Sequence, residues 1–450
     1  DITSIQRVRD QFLDARYWKQ NVEYGEWSVK SSVLSELESI ADETSEDGLA
    51  SVMSDFYSSL EELSKDPGSE QTRTVVAEYA EVFCEYLQSR AADLNSLRED
   101  YNSNIKIKVE EVNSLAKQIS DINELIYKSE LDGSVANDLR DQRTVLIDEL
   151  SALADVSVNE ITSGTLPNGS ADTRLQITLD GVSLVNHFDY NELECYSIDN
   201  GSDQDGMYGI RWAKTGMDVD IEGGELKGYL DLRDMDGENG EYKGVLYYIN
   251  QLDDFARIFA KAFNEGVYED GTQYCEGHAG GATSDGETGI NFFSFNDLST
   301  EEFLASGTDM DSRYSNITAA NITISKDIEN DPGKIAAASL SGESGNSDNI
   351  NDLIDIFEAG RVFTEGKPED FINSLTTTMG VVSQHASRLS ESYSNIRAQT
   401  DSKRTSVSGV QLDEETTNLV KYQQAYNAAA HAISVLDEIL DVTINSLGAG

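Results

Sequence analysis

Proline is nearly absent, with four residues in 450. Proline breaks a helix interior by removing a donor and clashing with the preceding turn, so its scarcity leaves room for very long helices. Cysteine is scarce too. Cys84, Cys195 and Cys275 lie far apart and none forms a CxxC. Three thiols cannot all pair, which argues against a disulfide framework, and each reads as a small packing residue. Basic residues are outnumbered, 33 Lys+Arg against 83 Asp+Glu, for a formal net charge of -50. So acidic a surface repels phosphate backbones and anionic headgroups, so neither nucleic acid nor a membrane is expected as a partner. No apolar run is long enough to span a bilayer. The opening Asp1-Ile2-Thr3 has no basic and apolar signal-peptide pattern, so no signal peptide is expected. It lacks an initiating Met as well, and a leading segment is expected ahead of it.

Catalytic signatures are also missing. The four histidines are His187, His278, His385 and His431, and none is followed by Glu as the zinc-protease helix requires. Cys275 with His278 comes closest to a metal pair, but two ligands do not close a tetrahedral site. Asp199–Gly206 is rich in oxygen ligands in the wrong register for a calcium loop, and Asp231, Asp234 and Asp236 fit no such spacing. Walker, strand-linked GxGxxG and GxSxG motifs do not occur. Paired carboxylates are everywhere in this chain and carry no information about glycosidase chemistry. N-glycan acceptor patterns at Asn168, Asn200, Asn316 and Asn321 are expected by chance in so polar a chain. The expectation is a non-enzymatic protein with no cofactor and no metal.

What the chain has is periodicity. Ile5, Val8, Phe12 and Ala15 share a helical stripe, and Val33, Leu34, Leu37, Ile40 and Ala41 continue it. Leu49, Val52, Phe56, Leu60 and Leu63 form a second stripe, stopped by Pro67-Gly68. Then Val76, Ala80, Phe83, Leu87, Leu94, Tyr101, Ile105, Val112, Leu115, Ile119, Ile122 and Ile126 make a near-heptad seam. A helix over 69–127 would be about 90 Å long, and so narrow a seam needs partners. A shorter helix, 135–153, follows a turn at Gly133.

Near Asp155 the pattern changes to alternation. Leu175, Ile177 and Leu179 precede Asp180-Gly181, a two-residue hairpin link, with Val182 and Leu184 beyond. Asn-Gly and Asp-Gly pairs recur at Asn168, Asn200, Asp205, Asp236, Asn239, Asp270 and Asp285, and Val219 with Ile221 suggests another strand. A helix near 246–265 interrupts, and 271–289 is a glycine-rich polar loop. From Pro368-Glu369-Asp370, suited to a first helical turn, the helical period returns through Phe371, Leu375, Met379, Val382, Leu389, Tyr393 and Ile396. Gly409 interrupts. The last helix carries Leu419, Tyr422, Tyr426, Ala430, Ile433, Leu436, Leu440 and Ile444 on one face.

The expected architecture is multidomain, α and β. A long-helix bundle is formed by the N- and C-terminal segments, 1–154 and 367–408. A β-rich middle, 155–366, is inserted between them and projects from it. Residues 409–450 form a final helix. The seams 76–126 and 371–396 are expected to close within the chain, whereas the 419–444 face is expected to serve assembly.

The final stretch, Leu412-Asp413-Glu414-Glu415-Thr416-Thr417-Asn418-Leu419-Val420-Lys421-Tyr422-Gln423-Gln424-Ala425-Tyr426, resembles the C-terminal helix of the bacterial flagellar axial proteins. Other blocks narrow the likeness. Ile221-Glu222-Gly223-Gly224-Glu225-Leu226-Lys227-Gly228-Tyr229-Leu230 leads to Arg233-Asp234, followed by Leu252, Phe255-Ala256, Phe263-Asn264 and Ile290-Asn291-Phe292-Phe293. Together with Arg9-Asp10-Gln11-Phe12-Leu13-Asp14, Tyr17 and Leu139-Arg140-Asp141-Gln142-Arg143, this order is similar to the hook-associated branch, the first of its two junction members. The likeness runs along nearly the whole chain. In that family a leading helix precedes the Arg-Asp-Gln-Phe block and pairs with the last one. This sequence starts after it, so the 419–444 face is expected to lack that partner. The 271–289 loop is longer than the family pattern implies.

The resemblance implies a structural subunit of the flagellum. Copies of the chain would form a ring between hook and filament, contacting hook protein and the second junction protein. An export chaperone would hold the chain before it leaves the cell unfolded through the flagellar type III channel. Rival readings are another axial protein (the second junction protein or flagellin) and a coiled-coil surface scaffold or adhesin.

Overall fold

The computed structural model describes residues 9–40, 48–131, 135–166, 169, 171–238, 242–339, 345–409 and 412–446. The stripe positions Ile5, Val8 and Ala41, the Gly133 turn, and Asn168 and Asn239 lie outside them. Four helices lead: α1 (Gln11–Ile40), α2 (Leu49–Lys65), α3 (Glu70–Glu130) and α4 (Asn137–Leu153). Six strands follow: β1 (Val156–Thr165), β2 (Ala171–Leu179), β3 (Val182–Asn186), β4 (Asp189–Tyr190), β5 (Leu193–Ser197) and β6 (Tyr208–Trp212). Next come α5 (Gly224–Asp234), α6 (Val245–Glu265), α7 (Gly277–Gly280), β7 (Phe293–Phe295), α8 (Thr300–Ala305), α9 (Met310–Tyr314), β8 (Ile322–Ile324), α10 (Lys326–Asn330) and α11 (Asp348–Glu358). Two long helices close the chain, α12 (Pro368–Ser408) and α13 (Leu412–Asp441).

α3 starts where the Ser69 side chain accepts from the Thr72 N–H, which satisfies one of the unpaired donors of the first turn. Its seam is buried within the chain from Val76 to Ile126, with only Ile122 half-covered. The Asp180-Gly181 link joins β2 to β3 with φ of 48° and 69°, the left-handed pair that a two-residue hairpin needs. β1 to β4 form one antiparallel sheet in sequence order, while β5–β6 and β7–β8 are two-stranded pairs.

The middle carries strands β1–β8 as expected, but the further strand expected at Val219 and Ile221 does not form. Val219 donates a single backbone bond to the Ile210 carbonyl and Ile221 belongs to no strand. The cause is the turn into α5: Gly224 has φ +83°, and a Cβ there would stand 2.5 Å from the Leu153 backbone. Farther on, the short helices α8 and α9 are each opened by a capping box, at Ser299 and Asp309. The 271–289 loop is closed by backbone bridges, Val267 to Gln273 and Ala282 to Ala338.

The chain divides into two compact units, Trp18–Ile396 and Asp1–Tyr17 with Arg397–Gly450. The larger holds two apolar cores. One unites α1 from Val29, α2, α3 as far as Tyr101, α6, β7, β8, α11 and the start of α12. Phe56, Phe83, Phe255, Phe259, Phe263, Phe292 and Phe293 meet at its centre, with ring centroids 4.9–6.4 Å apart. The other is drawn from residues 105–226: α3 beyond Ile105, α4, strands β1–β3, β5 and β6, and the start of α5. Phe255, Phe259 and Phe263 recur at every fourth residue of α6, so their rings line one face and fill the first core.

Candidate assembly interface

In the larger unit, the residues suspected of chemistry serve packing. His278 is fully buried; its Nδ1 lies 2.7 Å from the Ile290 carbonyl, and its Nε2 accepts from the Ala336 N–H at 2.8 Å. Nδ1 is therefore the protonated nitrogen and donates. Burial pushes its pKa down to about 4, and both nitrogens are occupied. The Cys275 thiol accepts from the Gly277 N–H at 3.3 Å, and burial pushes its pKa up. Asp205 Oδ1 accepts from the N–H groups of Asn200 and Gly201, both at 2.8 Å, so that acidic stretch is a self-satisfied turn. Asp231 faces Lys30, and Asp234 pairs with Arg233. Among the described residues no group of three or more His, Cys, Asp and Glu is placed to hold a metal ion, and no described helix is long and apolar enough to cross a membrane.

The smaller unit is built differently. Its base ties the first turns of α1 to the end of α12. Asp14 is buried, with Arg9 at 3.0 Å and Arg404 at 3.3 Å, and the Arg404 guanidinium stacks 4.3 Å from the Tyr17 ring centroid. Asp10 Oδ1 accepts from the Phe12 N–H at 2.9 Å at the helix start. The Arg9–Asp14 block and Tyr17 thus act locally, clamping Arg404. α12 stops at Ser408, and α13 begins after the Gly409 break.

Every described side chain of α13 is exposed. Leu419, Tyr422, Tyr426, Ala430, Ile433, Leu436, Leu440 and Ile444 fall on one stripe, about 120° wide at 100° per residue, with Asp437 the charged residue within it. None of them is covered: Leu419 is 66 % exposed, Tyr426 75 % and Ile433 67 %. The sequence reading found this stripe and missed its companion. Val435, Ile439 and Val442 are also exposed, and with Ala428 and Ala432 they extend the mainly apolar arc of 425–444 to about 240°, interrupted by Asp437 and Thr443. Asn427, His431, Ser434, Glu438 and Asp441 fill what remains. Placing every apolar residue on the helical wheel, rather than following one 3–4 spacing, would have revealed the second stripe. A surface helix of a folded domain has an apolar arc of roughly 100° or somewhat more. One this wide calls for covering on more than one side.

Charge separates the units as well. Of the formal -50, Asp1–Tyr17 and Arg397–Gly450 hold ten acidic and seven basic residues, net -3, which leaves -47 on Trp18–Ile396. The exposed apolar helix therefore sits in the one part of the chain where like copies repel little.

Comparison with known proteins agrees with this division. The family model for the flagellar hook-associated protein FlgK helical domain matches residues 34–293, and that for the flagellar basal body rod FlgEFG protein C-terminal region matches 402–447. The second match spans all of α13. Flagellar hook-associated protein 1 of Bacillus subtilis is 31% identical over 459 residues, covering 99% of this chain and 86% of that protein. The protein of the same name from Escherichia coli is 24% identical, over 99% of this chain and 89% of its own length. The structure of the flagellar hook junction protein FlgK from Burkholderia pseudomallei superposes with a TM-score of 0.68 at 14% identity, over 89% of this chain and 100% of that one. It has the same fold.

Proposed function

The chain belongs to the flagellar hook-associated protein 1 family, and from that premise we propose that it is a structural subunit of the bacterial flagellum, set between hook and filament and held there through α13. The observation that carries the reading is the exposed stripe Leu419–Ile444. An apolar helix with no cover of its own has a reason to persist if neighbouring subunits cover it. A Leu or Ile fully buried contributes roughly 1.5–3 kcal/mol, so a stripe of this length holds subunits together well beyond one marginal contact. The wide arc fits a position inside a ring, with copies of the chain on either side, hook protein below and the second junction protein above.

The role is structural rather than catalytic. The relatives are named as hook-associated proteins, and the polar clusters described above are satisfied by packing and turn bonds. Before assembly an export chaperone would shield α13, and the chain would leave through the flagellar type III channel to its place outside the cell. Deleting the gene in its native cell tests the role. The expected result is filament subunits released unpolymerised into the medium, with hooks intact and complementation restoring filaments. Normal filaments on the deletion strain would overturn it.

A further inference from the structure

The two cores of the larger unit meet at a layer of charge. All buried members of the second core come from one uninterrupted stretch, 105–226, whereas the first core is assembled from 29–101 and 232–386. The division falls inside two continuous helices. α3 changes core between Tyr101 and Ile105, and α5 between Leu226 and Leu232. At that level Lys30 is 3 % exposed, 2.6 Å from Asp231, which Lys227 approaches to 2.9 Å. Arg233 is 1 % exposed and donates to Asn102 Oδ1 at 2.7 Å, while Arg98 Nε donates to the Arg233 carbonyl at 3.1 Å. Asn102 stands where the stretch begins and Arg233 just after it ends, so this bond fastens its two ends together.

We propose that residues 105–226 form a module that opens and recloses on its own, with the charged layer as its hinge and the Arg233–Asn102 bond as its closure. Buried ion pairs return little beyond the cost of removing their charges from water. A boundary made of them couples two cores far less than shared apolar surface does. Regions so separated open as distinct cooperative units. Direct ring contact across the layer includes Tyr101 against Tyr229, 6.0 Å between centroids. The start of α1 belongs with the module: Trp18 Nε1 donates to Asp148 at 2.7 Å, and Asn21 to the Asp148 carbonyl at 2.7 Å. The inference stands apart from the flagellar role.

Hydrogen exchange read by mass spectrometry on the full chain tests it. Ile177 is fully buried in the second core and Phe259 in the first. Ile177→Ala should speed exchange about tenfold or more in peptides from 105–226 and leave α2, α6 and 76–97 as they were. Phe259→Ala should do the reverse. Arg233→Gln should speed exchange in 105–226 while sparing α2 and α6. If a variant does not fold, Ile177→Val and Phe259→Leu make the same comparison more mildly. Exchange that rises evenly over 18–396 in either core variant overturns the module. An Arg233→Gln protein exchanging like the wild type overturns the closure.

Discussion

Replacing Ile433 by Asp should abolish assembly and leave the subunit folded. Ile433 is 67 % exposed, and substitutions at such positions usually change folding stability by no more than about 0.5 kcal/mol. In the assembled state the loss is larger. Forfeiting the burial of one isoleucine costs roughly 1.5–3 kcal/mol, and an unpaired carboxylate taken into an apolar contact costs more. Even about 3 kcal/mol weakens each contact more than 100-fold. Ser434→Asp is the control, since Ser434 lies on the polar arc of the same turn. Thermal melts of the purified variants report on the fold; sedimentation velocity and filament formation in a complemented deletion strain report on assembly. Ile433→Asp should melt like the wild type yet fail to assemble, with Ser434→Asp normal in both. An Ile433→Asp protein that assembles normally, or one that loses its fold, would refute the reasoning, because in the latter case the chain itself would be covering the stripe.

Four further outcomes follow from other parts of the chain. Phe259→Ala, at the centre of the aromatic cluster, should lower unfolding free energy by about 3–5 kcal/mol in urea titration. Gly277 has φ +64°, and a Cβ there would stand 2.3 Å from the Asn264 carbonyl oxygen; Gly277→Ala should therefore lower the melting temperature, unlike Gly345→Ala, where a Cβ meets nothing within 4 Å. His278 is held neutral with a pKa of about 4 against an ordinary value near 6.5. The unfolded chain binds its proton first, so this histidine's contribution is fully present above about pH 6.5 and is lost as pH falls toward 4, by at most about 3 kcal/mol. Urea titrations across that range should show a steeper loss for the wild type than for His278→Gln, and equal slopes would contradict the assignment. Finally, with -47 on Trp18–Ile396, self-association should strengthen as sodium chloride screens repulsion; weakening with salt would point to ion pairs as the holding force.

The helical frame was legible because apolar side chains on an amphipathic helix recur at three and four residues whatever they face. That same property hid the division between cores. The seam of α3 runs through Tyr101 and Ile105 without a break in spacing, and only the partners change, from α2 and α6 to α4 and the sheet. The Asp180-Gly181 hairpin could be read because positive φ at both positions leaves few residue choices. Val219 and Ile221 misled because alternation alone says nothing of the Gly224 backbone that must press against Leu153. Long-range pairs such as Asp14 with Arg404, or His278 with Ile290 and Ala336, leave no local pattern at all. In α13 the residues of the face could be read but its width was missed, since tracing one stripe stops looking once a stripe is found.

The most direct test places a photo-crosslinking amino acid at Leu440 in the full-length protein and irradiates intact flagella. Peptide mapping should then find α13 joined to terminal segments of neighbouring subunits. Intact flagella that yield only uncrosslinked chain, or links confined to residues 18–396 of the same molecule, would contradict the claim that this helix is where subunits meet.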